Sequence, residues 1–268
     1  MHPLDEALVL RVTAPHEFTG ATHPAYANMV GPFGGVTAAQ LLQSAMQHPD
    51  RLGEPVALTV NFAAPVADGE IRFLARPVRT NRSTQHWIIE AHQASGVVST
   101  ATAVFAVRRE TWSALEAVMP ADVPAPETVP RTPPREVPAW LRYYDMRFVD
   151  GPFPDVFDEQ EQTHSRSCLW LRDVPERPLD FASLTLMSDV FVPRIFIRRR
   201  RRSLAGTVSL TTYFRADSAF LAQVGSRHVL GVAKALNYRH GYFDQTGELW
   251  SPDGQLLVST HQLVYFKD

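Results

Sequence analysis

Two stretches of this chain echo each other. Leu58-Thr59-Val60-Asn61-Phe62 recurs as Leu210-Thr211-Thr212-Tyr213-Phe214, and Val98-Ser99-Thr100 recurs as Val258-Ser259-Thr260. The same order surrounds both: an apolar helix-like segment and a run of long strand-like segments. A repeat this large confines the chain to one fold used twice, since each half must bury an equivalent helix with an equivalent sheet. The length suits two ordinary domains or one duplicated domain. Differences between the halves then point to a working site. Only the second half carries an acid in its apolar helix, Asp189, and a glutamine just after the Ser-Thr of its last strand, Gln262.

The first half opens with a strand-like piece near Leu8–Phe18. Gly31-Pro32-Phe33-Gly34-Gly35 leads into Val36–Met46, apolar or small nearly all round and therefore a buried helix, stopped by Pro49. Alternation over 56–62, with Asp68-Gly69 as a hairpin signal before 71–78, marks strands, and 87–92 and 97–107 follow. Trp112–Met119 reads as a short helix. Seven of the twenty-one prolines fall between Pro120 and Pro138, the composition of a linker. The second half repeats the plan: strands over 143–149 and 163–172, an apolar helix over Leu179–Val192 ended by Pro193, then strands over 207–215, 229–240, 242–246 and 255–266. The expected domains are 1–119, a 120–138 linker and 139–268.

The net charge is -2, so no global field favours nucleic acid or an acidic membrane. No apolar run reaches the roughly 20 residues of a membrane span, and the acidic N-terminus lacks a signal-peptide core. The one cysteine, Cys168, excludes an internal disulfide and reads as a buried small hydrophobe. A cytoplasmic protein is the expectation.

Asp189 lies among Leu184, Leu186, Met187, Val190 and Phe191, where burial would disfavour its charge; the alternative is a surface acid at a helix end. Thr207 opens a strand and Gln262 sits in the last one, both also ordinary strand residues. Their expected counterparts in the first half are Pro55 and Thr102. Acid, hydroxyl and amide thus occur together in one half and are missing from the other.

A long apolar helix followed by antiparallel strands, twice over, packs most economically as an α+β tandem hot-dog, each sheet curled around its helix. Here the chain resembles the thioesterase II (TesB-like) double hot-dog family of acyl-CoA thioesterases, from about Gly20 to the C-terminus. The residues that carry the likeness are Gly-Pro-Phe-Gly-Gly at 31–35, Leu169-Trp170-Leu171-Arg172 before Pro178-Leu179-Asp180, Ser188-Asp189, Thr207 with Tyr213-Phe214-Arg215, and Ser259-Thr260-His261-Gln262. The resemblance implies acyl-CoA thioester hydrolysis, with Asp189, Thr207 and Gln262 jointly holding the attacking water. Backbone N–H groups of Gly34 and Gly35 would suit an oxyanion, though glycines there equally serve tight packing. Within Arg198–Arg202, Arg200 and Arg201 would pair with CoA phosphates, or else form a solvated loop. No cofactor or metal is called for, acyl-CoA is the expected partner, and a homo-oligomer is expected because sheet edges remain. The competing readings are a non-catalytic acyl-CoA binder and an acyl-thioester hydratase or dehydratase. The latter needs a histidine with the acid, and the second helix has none.

Overall fold

The computed structural model describes residues 1–133 and 138–267. The strands in chain order are β1 (Arg11–Ala14), β2 (Glu17–Ala21), β3 (Glu54–Phe62), β4 (Glu70–Thr80), β5 (Thr84–Gln93), β6 (Gly96–Ala106), β7 (Tyr144–Asp150), β8 (Ser167–Asp173), β9 (Leu204–Phe214), β10 (Val229–Lys234), β11 (Tyr238–Arg239), β12 (Tyr242–Trp250) and β13 (Leu256–Lys267). The helices are α1 (Pro3–Ala7), α2 (Gly34–Met46), α3 (Phe181–Met187), α4 (Arg194–Arg199) and α5 (Ser218–Val224).

All pairings are antiparallel, and the strands join in one sheet ordered β1-β2-β4-β5-β6-β3-β9-β13-β12-β10-β8-β7, with β11 added beside β12. The order exposes the duplication. With the peripheral strands β1, β7 and β11 left out of the count, β2-β4-β5-β6-β3 is the first, third, fourth, fifth and second strand of the first half. In the second, β8-β10-β12-β13-β9 is the same sequence of ranks. The halves meet at β3 and β9, where Thr59 faces Thr211, and the two hydroxyls hydrogen-bond at 3.0 Å. Thr59 and Thr211 occupy matching places in the recurring pentapeptides, so this pair marks the local two-fold axis relating the halves. The tandem hot-dog architecture is therefore present.

The core lies on the inner face. Val36, Ala38, Ala39, Leu41, Leu42 and Ala45 of α2 are buried against inward residues such as Leu58, Val60, Phe73, Ile89 and Phe105. Alternation along β5 and β6 puts one residue in two onto this face. Each fully buried Leu or Phe contributes about 2 kcal/mol of apolar burial. α2 and α3 pack against each other across the join.

Several expectations change. Leu8–Phe18 is not one strand; α1 precedes a β1–β2 hairpin. Trp112–Met119 is not a helix. Ala117 and Met119 instead lie with Val123 and Val129 on the outer face of the second half, over Cys168, Trp170, Leu230 and Trp250. The Trp170 indole donates to Pro124 O at 2.8 Å. The proline-rich segment is thus packed where it is described, while 134–137 lie outside the described residues. Cys168 is buried, and burial pushes its thiol up, as for a small hydrophobe. The apolar run Leu179–Val192 is helical only over α3, and Pro193 starts α4 rather than ending a helix. The stretch 229–240 is split into β10 and β11.

If the Thr59–Thr211 pair joins the halves, its hydroxyls should be energetically coupled. A double-mutant cycle of Thr59→Val and Thr211→Val, followed by urea unfolding, should show a coupling of about 0.5–1 kcal/mol. Strict additivity would show that the contact contributes nothing.

Candidate active site

The second half supplies three side chains through three separate devices. α3 begins with Asp180 as its N-cap, accepting from Ser183 N at 2.8 Å, and ends at Ser188. The backbone then turns, with Asp189 N bonded to Leu186 O at 2.9 Å, so Asp189 sits just past the helix rather than within it. Gln262 lies on the inner face of β13, buried at 4% exposure, while its neighbour His261 faces outward and contacts Asp244. Thr207 needs a bulge. Thr207 and Leu210 are three residues apart, so a regular strand would turn them to opposite faces. The β9–β13 register skips Val208, pairing Ser209 with Leu263 but Thr207 with Val264. Both side chains therefore reach the inner face, as bulges beside sites often arrange.

These groups converge. Gln262 Nε2 donates to Asp189 Oδ1 at 2.9 Å and to Ser188 O at 3.2 Å. Thr207 Oγ1 donates to Gln262 Oε1 at 3.4 Å. The glutamine thus bridges hydroxyl and acid.

The remaining partner comes from the first half. The N-cap residue of α2, Phe33, makes no side-chain cap bond. The Asp189 carboxylate lies against this helix start instead, close to Gly34, and the Gly35 N–H acts to favour its charged form. An acid from one half therefore sits at the helix start of the other, where unpaired N–H groups and the helix dipole favour negative charge. Small residues make this possible. A Cβ on Gly34 would lie 2.7 Å from Asp189 Oδ2, and one on Gly35 would lie 2.6 Å from the Phe33 ring and 2.9 Å from Leu186 O.

Asp189 keeps some exposure as a residue, but its carboxyl is densely surrounded by protein. This desolvation pushes the carboxyl up to about 7, against the hydrogen bonds from Gln262 and Gly35 that favour its charged form. A carboxyl divided between acid and base forms near neutrality can exchange a proton with a reacting water.

The first half lacks this set. Its β3–β6 register has a matching bulge at Val56, which makes Pro55 the counterpart of Thr207. Leu58 pairs with Ala103 as Leu210 pairs with Gln262, so the counterpart of Gln262 is Ala103, one residue beyond the expected Thr102. Facing decides the point: Ala103 is buried and Thr102 is exposed.

Arg200 and Arg201 are engaged by the 157–162 segment. Arg200 bonds Asp158 at 3.1 Å, Arg201 lies 3.9 Å from Glu159, and Arg202 stacks over Phe157. Arg198 and Arg199 both approach Glu161. Among the described residues no group of three His, Cys, Asp or Glu side chains is placed to hold a metal ion, and no helix is long and apolar enough to cross a membrane. Sequence reasoning missed Tyr26 and Asp173, which are buried with Tyr144, a tyrosine that feels the Asp189 charge. Nothing in their local pattern singles them out.

Burial of Asp189 has a measurable cost. A carboxyl that titrates near 7 when folded, against 3.8 as its ordinary value, favours folding when protonated. Its contribution is complete below the unfolded value and is lost as pH rises through about 7. Asp189→Asn cannot ionise. Its melting temperature should exceed wild type by several degrees at pH 8, at about 2–4 °C per kcal/mol, and the gap should close toward pH 5. An equal gap at both values would contradict the burial.

Comparison with known proteins places the chain in a family. The model of the acyl-CoA thioesterase N-terminal domain matches residues 23–106, and that of the acyl-CoA thioesterase C-terminal domain matches residues 120–266. No curated protein matches the chain. Among solved structures, a conserved hot-dog protein of unknown function from Alicyclobacillus acidocaldarius is 48% identical, with a TM-score of 0.94 over 100% of this chain and 99% of that one. A putative thioesterase II from Thermobifida fusca shares the fold at 20% identity and a TM-score of 0.86, over 100% and 98% of the two chains. The acyl-CoA thioesterase II TesB2 of Mycobacterium marinum does so at 20% identity and a TM-score of 0.77, over 98% of each. With both of its halves matched in order, the chain belongs to the acyl-CoA thioesterase family.

Proposed function

We propose that this protein hydrolyses acyl-CoA thioesters, with Asp189 as general base and Thr207 and Gln262 orienting the attacking water. The observation that carries this reading is the Asp189–Gln262 hydrogen bond at 2.9 Å, made by an acid that burial raises to about 7. Water is a poor nucleophile and must lose a proton as it attacks. A carboxylate at the α2 N-terminus can take that proton. Gln262 and Thr207 hold their polar atoms beside it and fix the water's orientation, which lowers the entropic part of the barrier.

The attack forms the C–O bond and puts negative charge on the former carbonyl oxygen. Collapse breaks the C–S bond, and the proton on Asp189 passes to the leaving sulfur. The products are the free acid and CoA. Gly34 and Gly35 remain the proposed oxyanion donors. The Gly35 N–H also favours the charged form of the base, and Gly34, lacking a side chain, leaves room for the second carboxylate oxygen.

Arg200 and Arg201 as anchors for CoA phosphates remain part of the proposal. They would exchange their present carboxylate partners, Asp158 and Glu159, for phosphate oxygens. A hydratase is disfavoured, because His261 points away from Asp189. A homo-oligomer fits the position of β1, which ends the sheet and pairs with β2 alone.

Thiol release from a panel of acyl-CoAs tests the reading. Asp189→Asn should lower kcat by about 10²–10⁴-fold, and Gln262→Ala should lower it less. Full release by Asp189→Asn would remove the assigned base, and tight acyl-CoA binding without release by the wild type would favour a binding protein. Because the base must be ionised, wild-type kcat/KM should rise with pH and level off above about 7. A profile flat down to pH 5 would exclude an acid with this ionisation.

A further inference from the structure

Next to Asp189 lies a knot of polar atoms that the reaction above does not use. The hydroxyls of Tyr26 and Tyr144, both carboxyl oxygens of Asp173 and the indole N–H of Trp140 are all buried without a hydrogen-bond partner in the protein. They are neighbours. Tyr144 and Asp173 stand directly opposite on β7 and β8, a placement that brings Cβ atoms to about 5 Å. The Trp140 ring meets Tyr144 at 6.1 Å and stacks on Phe33 at 4.3 Å, and Phe33 immediately precedes Gly34. Tyr26 packs on Tyr143 at 5.8 Å. The Asp173 charge acts on both buried hydroxyls, and Tyr144 also feels Asp189.

Buried polar atoms are nearly always paired, and five orphans in one place call for ordered water, which typically makes about three hydrogen bonds in such sites. On its far side Asp173 adjoins the Ser183 hydroxyl, which accepts from Arg177 Nη1 at 2.8 Å. Arg177 in turn pairs with Asp5 at 2.8 Å and Asp180 at 2.6 Å. Those three charged residues line an open surface pocket of about 290 Å³. Tyr144, which feels the Asp189 charge, is thus followed by Asp173, Ser183 and Arg177 in the direction of that pocket.

We propose that Tyr144, Asp173 and Tyr26, with water held between them, form a buried proton exit from Asp189 to the Arg177 pocket. The proposal rests on the thioesterase reading. Each hydrolysis consumes one water and yields a carboxylate, a thiol and one proton at neutral pH. The first proton taken by Asp189 leaves on sulfur; the second comes from the newly formed carboxylic acid, passes to the emptied Asp189 and needs a way out while products fill the cleft. Tyr144 accepts it at its oxygen and passes its own hydroxyl proton toward Asp173, so no phenolate forms. Burial pushes the Asp173 carboxyl to about 7, level with Asp189, so transfer between them is nearly balanced. The same burial raises both tyrosines and keeps them protonated. Asp173 touches no substrate in this scheme; it is a positioning residue for the proton of Asp189.

The test compares Tyr144→Phe, Asp173→Asn and Asp173→Ala across pH. The Tyr144→Phe and Asp173→Asn substitutions keep the shape of the core. In each variant kcat should fall by about tenfold or more with KM nearly unchanged, and added formate should restore Asp173→Ala. Wild-type kcat and pH profile in Tyr144→Phe and Asp173→Asn would overturn the exit, as would a loss in Asp173→Ala that formate does not restore. Infrared titration gives a readout free of turnover. The carboxyl band missing from Asp173→Asn should change its midpoint in Asp189→Asn. If the wild type releases no thiol the hydrolase reading fails, and this titration alone then judges the link: an unmoved midpoint overturns it.

Discussion

The structure turns on one contact, the Asp189 carboxylate of the second half against the Gly34-Gly35 start of α2 in the first. It joins two needs that neither half meets alone. The α2 helix starts at Phe33, which offers no side-chain cap, and a buried helix start with unpaired donors is costly. Asp189, pressed among apolar neighbours, needs donors to be charged at all. Bringing them together partly answers both, and the residual desolvation leaves the acid near neutrality. The same few atoms therefore bear on both the start of α2 and the ionisation of the acid.

The duplication explains how such a site can arise. Both halves keep the same strand order, the same bulge and the same inward alternation, so both have the geometry to present two side chains to the inner face. The second half filled those places with Thr207 and Gln262. The first has Pro55 and Ala103 there, neither of which can hydrogen-bond through its side chain. What the first half gives instead is α2, with glycines that let the acid come close.

Much of the fold was legible in the sequence because two signals are local. Strand alternation is visible over a few residues, and the recurrence of Leu-Thr at 58–59 and 210–211 marks the pair that meets at the axis between the halves. The site's members were visible as residue types out of place in an apolar helix and a strand. What was not legible depends on contacts between distant segments. The α3 helix stops at Ser188, whose carbonyl is taken up by Gln262 from the last strand. Thr102 was mistaken for the counterpart of Gln262 because a one-residue offset in register is invisible without the ladder. Trp112–Met119 has the composition of a helix, but an outer strip of Trp170 and Trp250 draws Ala117 and Met119 into an extended path. Asp173 looked like any acid at a strand end. Only the fold sets it opposite Tyr144 and away from solvent.

The most direct test of the account is a carbon-13 NMR titration of the Asp189 side-chain carboxyl, with the Gly35 amide followed in the same samples. The account predicts one shared midpoint near 7, because the amide adjoins the titrating group. A carboxyl that titrates near its ordinary 3.8, or a Gly35 amide indifferent to the transition, would contradict the cross-half contact on which the site is built.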